Sequence, residues 1–262
     1  MRHEQGNGNG YEKLAQHYGW ALGRMFEYLG FKQVIILEED MEIAPDFFNY
    51  FLATSTLINA DPKLYCVSAW NDNGYGSSVD DAEMVYRSEF FPGLGWMLTA
   101  DLWNEVKSRW PSGYWDEFMR RPDVRKGRHC LRPEISRSYT FGEEGQSQGQ
   151  YFAAHLSRIK LNTELIDFIS NAPRLLHHVR NEELFDQWLI NQMTTCVQVT
   201  LMSLDGELSS SAGRCFRIEY RDSMYEGAFG AAAKILTARE SSPKFTIISI
   251  DDIKMIADSE DI

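Results

Sequence analysis

The stretch FKQVIILEEDMEIAPDFFNYF, residues Phe31–Phe51, contains an apolar run that ends directly in three carboxylates. The run Val34–Leu37 is short, β-branched and uniformly apolar, which is typical of a strand covered on both faces in a parallel sheet. Glu38, Glu39 and Asp40 follow it without a gap. Because ligands of open α/β sheets bind outside the carboxyl ends of the strands, this triplet occupies the position expected of a binding site.

The triplet has two interpretations from its residues alone. Three like charges at the end of a buried strand repel each other unless a cation or a hydrogen-bonding ligand offsets them. Carboxylate oxygens suit Mg²⁺ or Mn²⁺, which keep coordination positions open for phosphate oxygens. A solvated acidic loop is the competing interpretation, and both stay open at this point.

Helical and strand patterns alternate on both sides of this stretch. Apolar residues recur at helical spacing from Tyr11 until Gly30, which is expected to end the helix. A second helix is predicted from Pro45, with the proline in its first turn, and Tyr65–Trp70 reads as a second buried strand. The order helix, strand, helix, strand predicts an α/β protein.

The later parts of the chain differ in composition. Phe90–Phe152 is rich in Gly, Pro, Trp, Arg and Tyr, which is more typical of a binding surface than of a scaffold. Helical and strand patterns from Arg180 to about Ile256 predict a small α+β domain. The predicted organisation is a flexible leader (1–10), a main α/β region (11–175), a C-terminal α+β domain (180–256) and an acidic tail (257–262).

Composition limits the class of protein. With 262 residues, 44% of them hydrophobic, the chain can form one large domain with a small appendage. Its net charge of -12 argues against nucleic-acid binding, because neutralising phosphates needs a basic surface. The cysteines have no CxxC spacing, which argues against a zinc ribbon and leaves both disulfides and buried thiols open. They are Cys66, Cys130, Cys196 and Cys215.

Five stretches carry a more specific signal: VIILEEDMEIAPDFFNYF, LYCVSAWNDNG, FFPGLGWML, RWPSGYWDEFMRRPDVRKGRHCLRPEISRSYTFG and QGQYF. Together they resemble the N-acetylglucosaminyltransferase I family of Golgi enzymes, from about Tyr11 to Lys160 and more weakly beyond. The resemblance implies a GT-A (nucleotide-diphospho-sugar transferase) fold, incomplete at the N-terminus, with a small C-terminal α+β appendage. It implies inverting transfer of GlcNAc from UDP-GlcNAc, in β-1,2 linkage, to a mannose on the α-1,3 arm of a high-mannose N-glycan carried by a glycoprotein.

The same resemblance gives the acidic triplet a role. Asp40 is implied as a direct Mn²⁺ ligand, Glu39 as facing the ribose side of UDP and Glu38 as facing the donor sugar. The metal would bridge the diphosphate and stabilise charge on the departing UDP. The family triplet is usually Glu-Asp-Asp, so Glu39 departs from it by one methylene. The related protein O-mannose β-1,2-N-acetylglucosaminyltransferase resembles Glu-Glu-Asp here and is an alternative, although WNDNG, APDFF and the first helix favour the N-glycan enzyme.

Further roles are implied around the donor sugar. Asp116 aligns with the catalytic base of the family, next to Trp115, which with Leu94 would line the donor-sugar pocket. From spacing alone, Asp116 and Glu117 could instead be carboxylates favoured by a helix N-terminus, and Trp115 and Leu94 could be core residues. His17 matches a histidine near the nucleotide, whereas a lone helical histidine is more often a partly buried polar residue.

Two further features follow from the resemblance. Ser147, in the stretch GEEGQSQGQYF, falls in a loop that closes over UDP in the family, and its glycines suit either a mobile lid or a plain surface loop. The family-like VSHG is QSQG here, so contacts of the lid are expected to differ. Cys66 and Cys130 match a family disulfide.

The start of the chain departs from the family pattern. Family members begin with a cytoplasmic tail, a transmembrane anchor and a stem. Next come a strand–turn–helix that bears an arginine and a strand that bears an aspartate, and both elements bind UDP. This chain begins at the helix after them, so we expect a partial sequence or a product lacking part of the uridine pocket, with an uncovered sheet edge. The full-length form is expected at the lumenal face of the Golgi membrane, and an inactive nucleotide-sugar-binding remnant is the alternative of a different class.

Overall fold

The computed structural model describes residues 9–76, 79–143, 149, 151–200, 216–218, 247–248 and 255–256. The helices are α1 (Gly10–Gly23), α2 (Phe47–Ala60), α3 (Ala100–Val106), α4 (Trp115–Arg120), α5 (Pro122–Arg125), α6 (Phe168–Leu175) and α7 (Glu182–Thr194). The strands of the main region are β1 (Gln33–Ile36), β2 (Met41–Ile43), β3 (Leu64–Ser68), β4 (Val85–Ser88), β5 (Trp96–Thr99), β6 (His129–Pro133) and β7 (Ser138–Thr140). Towards the C-terminus follow β8 (Val197–Val199), β9 (Phe216–Ile218), β10 (Ile247–Ile248) and β11 (Met255–Ile256).

The central sheet has the strand order β1-β5-β3-β6-β4 and is mixed. β3 and β6 are parallel, whereas β5 runs antiparallel to both β1 and β3, and β4 runs antiparallel to β6. The strands β1, β3 and β6 therefore point the same way, and their carboxyl ends lie at one edge of the sheet. The predicted α/β class is confirmed, with antiparallel strands interleaved among the parallel ones.

The prediction for the first strand was wrong in two respects. β1 spans Gln33–Ile36, is half-buried along its length and pairs antiparallel with β5, so it is not covered on both faces within a parallel sheet. Leu37, predicted to be inside the strand, lies after it and is exposed. A uniformly apolar run is compatible with either strand direction and either burial, because those depend on neighbours distant in sequence.

The first helix begins and ends as its residues indicate. Asn9 accepts a hydrogen bond from the Glu12 amide, while the Glu12 side chain accepts from the Asn9 amide, and this capping box starts α1. Asn9 and Gly10, predicted to belong to the leader, are therefore the beginning of the helix. The helix continues through one wider turn, Arg24–Tyr28, before the chain reverses at Gly30 with a φ of 73°.

The second helix starts two residues later than predicted. Pro45 precedes the N-cap position, which is Asp46, and α2 begins at Phe47. The buried Asp46 carboxylate does not cap the helix, because Arg137 donates to Oδ2 from Nη2 at 3.1 Å and Asn162 donates to Oδ1 at 2.9 Å. This buried ion pair ties the start of α2 to the residue that precedes β7.

Two apolar layers cover the sheet. One layer combines α1, α3 and α4 with side chains of β3 and β5, and the other combines α2, α6 and the start of α7 with the opposite face. Cys66 of β3 and Cys130 of β6 are register partners with their Cα atoms 4.6 Å apart, and they form the implied disulfide. Both cysteines therefore lie within strands of the central sheet. The bridge joins residues 64 apart, which corresponds to about 4 kcal/mol in the chain-entropy model.

The C-terminal region is described only in part. The helix predicted from EELFDQWLINQM is α7, which packs Phe185 and Trp188 against the core layer of α2 and α6. β8 and β9 form a parallel pair within the segments predicted as strands. β10 and β11 form an antiparallel pair near the end of the predicted domain. Most of the remaining residues beyond Thr200, with the acidic tail, lie outside the described residues, so the domain division stays a prediction. Across the ranges given above, no helix has both the length and the apolar character required to span a bilayer.

The ring of His178 predicts an acid-sensitive contribution to stability. Burial lowers its pKa, the hydrogen bond between Nε2 and the Val85 carbonyl at 2.8 Å opposes that shift, and the charge of His177 adds to it. The unfolded chain therefore takes up a proton near the ordinary histidine pKa of about 6.5, while the folded protein resists it. We expect the free energy of unfolding to fall as the pH is lowered from 7 to 5.

Urea titrations at pH 7 and pH 5 check this expectation. His178→Gln should lose less stability than the original protein between these two pH values, because it removes the group that must stay neutral. His177→Gln is the matched control, since His177 is the exposed neighbour, and it should keep most of the original dependence. Equal losses in the original protein and in His178→Gln would show that His178 is not the responsible group.

Candidate functional site

The acidic triplet lies where the central sheet meets a two-stranded ribbon. β1 ends at Ile36, and the turn that contains Glu38, Glu39 and Asp40 leads directly into β2. β2 pairs antiparallel with β7, in the register that sets Met41 opposite Thr140. The triplet is therefore at the carboxyl end of a sheet strand, as predicted. The β2–β7 ribbon follows directly after the triplet.

Asp40 is held closely by the end of β7. Its main-chain carbonyl accepts a hydrogen bond from the Phe141 amide at 2.9 Å, and the Thr140 hydroxyl lies 3.4 Å from Oδ2. A Cβ atom on Gly142 would overlap Asp40 Oδ2, so a larger residue there would displace the Asp40 carboxylate. Neither Thr140 nor Gly142 was predicted as a site residue from the sequence. The only local signal for them is the stretch TFG at the end of a strand-like segment.

Glu38 is held by a residue that the sequence analysis also missed. The Tyr18 hydroxyl donates a hydrogen bond to Glu38 Oε1 at 2.7 Å. The Tyr18 ring stacks on Trp115, with centroids 4.2 Å apart and planes 19° apart, and Trp115 stacks in turn on Trp96. Since Trp96 is the register partner of Ile36, this aromatic column stands at the end of β1. It joins α1, the triplet and α4 into one site.

The charges around Glu38 are all of one sign. Burial is the main cause of a raised pKa at Glu38; the hydrogen bond from Tyr18 opposes it, and the charges of Asp40, Glu39 and Asp116 add to it. Each charged group that contributes to the shift in the pKa of Glu38 is a carboxylate. A cation bound at the triplet would offset this excess of negative charge.

The structure separates Asp116 from Glu117. Both lie in the first turn of α4 and both pair with Arg120, Asp116 at 3.3 Å and Glu117 at 2.7 Å. The Asp116 side chain is 39% exposed and acts electrostatically on Glu38, whereas the Glu117 side chain is 64% exposed and does not contribute to that shift. α4 starts directly after Tyr114, which adopts the left-handed conformation with a φ of 52°. Of the two acids, Asp116 is the one whose charge adds to the raised pKa of Glu38.

The loop that contains Leu94 adjoins Trp115 and β7. The Leu94 carbonyl accepts a hydrogen bond from the Ser138 hydroxyl at 2.6 Å. A Cβ on Gly93 would stand 3.3 Å from the Trp115 ring, so the loop packs closely on that side chain. Gly95 follows with a φ of 81°, a conformation that favours glycine. The loop thus brings Gly93, the neighbour of Leu94, against Trp115, and the donor-sugar role implied for Leu94 and Trp115 stays a prediction.

One of the implied binding residues is not brought to this cluster, and another is not among the described residues. His17 lies on the exposed side of α1, with its ring centroid 5.7 Å from that of Trp20, while the adjacent Tyr18 faces inwards. Ser147 and most of the predicted lid lie outside the described residues. The roles implied for His17 and Ser147 stay predictions.

The carboxylate oxygens present fit a divalent cation that is also coordinated by the phosphates of a bound substrate. Within the described part of the chain, no group of three His, Cys, Asp or Glu side chains converges as a metal cage. Mg²⁺-type ions, however, are commonly held by one or two carboxylates together with substrate phosphates and water. Asp40 would supply one such oxygen ligand, and the carboxylates that raise the pKa of Glu38 would favour a cation at this position.

Comparison with known proteins agrees with these features. The model of the GNT-I family matches residues 3–242. A curated relative from Arabidopsis thaliana, described as alpha-1,3-mannosyl-glycoprotein 2-beta-N-acetylglucosaminyltransferase, is 50% identical over 158 residues. That match covers 60% of this chain and 36% of the relative. The chain therefore spans only about a third of the length of the curated relative that it matches.

Proposed function

Because the chain belongs to the GNT-I family, we propose that it transfers GlcNAc from UDP-GlcNAc, with inversion and in β-1,2 linkage, to a mannose on the α-1,3 arm of an N-glycan. The observation that carries this proposal is that Tyr18 links Glu38 of the acidic triplet to Trp115, the residue before Asp116, whose charge acts on Glu38. The name of the plant relative gives an alpha-1,3-mannosyl-glycoprotein as its substrate, so an O-linked mannose acceptor is not favoured.

The GT-A fold belongs to the same proposal. A mixed sheet with helices on both faces, and an acidic turn at the carboxyl end of a strand, is consistent with a sugar-nucleotide transferase. In this arrangement the donor lies outside the carboxyl edge of β1, β3 and β6. The acceptor then approaches from the side of α4.

The side chains of the site divide the chemistry between them. The Asp116 carboxylate takes the proton from the attacking mannose hydroxyl as its oxygen bonds to the anomeric carbon of GlcNAc. The bond from that carbon to the diphosphate breaks at the same time, and UDP leaves with the electron pair. Trp115 and Leu94 border the donor sugar and exclude water from it, while Glu38 and Glu39 accept hydrogen bonds from the sugar and the ribose.

Asp40 would hold a Mn²⁺ ion. When bound, that ion supplies positive charge next to the leaving diphosphate, so no second protein acid is needed. His17 is proposed to bind near the nucleotide, and Ser147 to belong to a loop that closes over UDP. For the full-length protein we propose a membrane-anchored form at the lumenal face of the Golgi, which the Cys66–Cys130 disulfide supports, because disulfides persist in oxidising compartments.

An acceptor assay tests the proposal. The protein, expressed through a secretory pathway, would be incubated with UDP-GlcNAc, Mn²⁺ and either a five-mannose N-glycan or an O-mannosylated peptide. Mass spectrometry should find one added N-acetylhexosamine on the N-glycan, and NMR should show its β-1,2 linkage. Transfer to the O-mannosylated peptide alone would identify the other acceptor. Binding of UDP-GlcNAc without transfer would indicate an inactive nucleotide-sugar-binding protein.

A further inference from the structure

We propose that Tyr18 is a positioning residue for the sugar nucleotide, because one side chain holds both Glu38 and Trp115 in place. This inference rests on the proposed function for the roles of those two residues at the donor sugar. Tyr18 itself is 7% exposed and therefore acts through its neighbours and not by touching the ligand.

The hydroxyl of Tyr18 determines how Glu38 presents its oxygens. Its hydrogen bond to Oε1 at 2.7 Å occupies one carboxylate oxygen and restricts the rotation of the whole group. Oε2 is then left as the acceptor for a sugar hydroxyl. Without the Tyr18 hydroxyl, Glu38 would be repelled by the neighbouring carboxylates of Asp40, Glu39 and Asp116 with no hydrogen bond to hold it against them.

The ring of Tyr18 determines where Trp115 stands. The two rings are stacked with centroids 4.2 Å apart, and Trp96 stacks on the far side of Trp115 at 5.6 Å. Phe91 packs edge-on against both tryptophans, at 4.8 Å from Trp96 and 6.0 Å from Trp115. Trp115 is thus enclosed on three sides, and Tyr18 forms the side that faces α1.

These two contacts couple elements that are distant in sequence. Tyr18 is in α1, Glu38 follows β1, and Trp115 opens α4 immediately before Asp116. Holding the sugar-binding groups in place before the ligand arrives reduces the ordering cost of binding. Loss of the hydroxyl should therefore weaken binding of the sugar portion selectively, while loss of the ring should also disturb α4.

The test separates the hydroxyl from the ring. Tyr18→Phe keeps the stack and removes the hydrogen bond, whereas Tyr18→Leu removes both. Calorimetry with Mn²⁺ would measure the affinities for UDP-GlcNAc and for UDP. We expect Tyr18→Phe to bind UDP-GlcNAc about tenfold more weakly, as for the loss of one hydrogen bond to a charged group. Binding of UDP should be unchanged, since UDP lacks the GlcNAc that Glu38 would contact.

Two controls accompany the measurement. Tyr11→Phe removes a hydroxyl from the same helix and from a similar stack, with Tyr114 at 4.7 Å, and should leave both affinities unchanged. Near-ultraviolet circular dichroism of the ligand-free protein should keep the tryptophan signal in Tyr18→Phe and lose part of it in Tyr18→Leu. In a Glu38→Ala background, Tyr18→Phe should have little further effect, because Tyr18 acts through Glu38.

Each result supports or overturns the proposal. A Tyr18→Phe protein that binds both nucleotides normally would overturn the positioning role and leave the proposed function standing. Equal weakening of UDP and UDP-GlcNAc, or a full additional loss in the Glu38→Ala background, would overturn it as well. If the original protein bound neither nucleotide, the proposed function would fail, and the positioning role would fail with it.

Discussion

Asp116→Asn is expected to keep binding of UDP-GlcNAc and to lower transfer by at least ~100-fold, the usual lower bound for removing a positioned base. The substitution preserves size and removes the oxygen that accepts the proton. Inverting transfer needs one carboxylate opposite the departing UDP, and the charge of Asp116 acts on Glu38 in the acidic triplet. Rates with saturating UDP-GlcNAc, and the affinity by calorimetry, would separate catalysis from binding.

Glu117→Gln is the matched control for this experiment. Glu117 is the adjacent acid of α4 and shares the same partner, Arg120, so its substitution changes the helix terminus and the ion pair in a similar way. Its side chain is the more exposed of the two, and it is expected to lose far less transfer. The assignment of the base would be wrong if Glu117→Gln lost transfer and Asp116→Asn did not.

Asp40→Asn is expected to abolish the part of UDP binding that depends on Mn²⁺. Asparagine keeps the size of the side chain in the tight space beside Gly142 but replaces an anionic ligand oxygen with a neutral amide. Hard divalent cations prefer charged oxygen ligands, so the metal and the diphosphate should lose their shared anchor. Calorimetric titrations of UDP with and without Mn²⁺ would measure the difference.

Glu42→Gln is the corresponding control for Asp40. Glu42 is an exposed carboxylate of β2, two residues beyond Asp40, so its substitution makes the same change in net charge outside the cluster. It should leave the Mn²⁺ dependence of UDP binding unchanged. An Asp40→Asn protein with the original dependence would remove Asp40 from the metal site.

Local patterns in the sequence were sufficient for several elements. The helical spacing from Tyr11 to Gly30, the buried strand within Tyr65–Trp70 and the helix beginning at Glu182 depend on periodicity and on capping residues, which act over a few positions. The sequence also indicated a functional site directly after β1, because three adjacent carboxylates at the end of an apolar strand need compensation wherever the strand lies.

Only the tertiary structure decided how these elements face each other. The antiparallel pairing of β1 depends on β5, sixty or more residues away along the chain. The missing side-chain cap of α2 depends on Arg137, whose guanidinium binds the Asp46 carboxylate that could have capped the helix. The Tyr18–Glu38 hydrogen bond and the fit of Asp40 against Gly142 likewise join positions that no local pattern connects. The motifs that carry the family resemblance therefore indicated which residues could do the chemistry. Packing between distant segments determined which of them meet, since burial, repulsion and hydrogen bonding act through space and not along the chain.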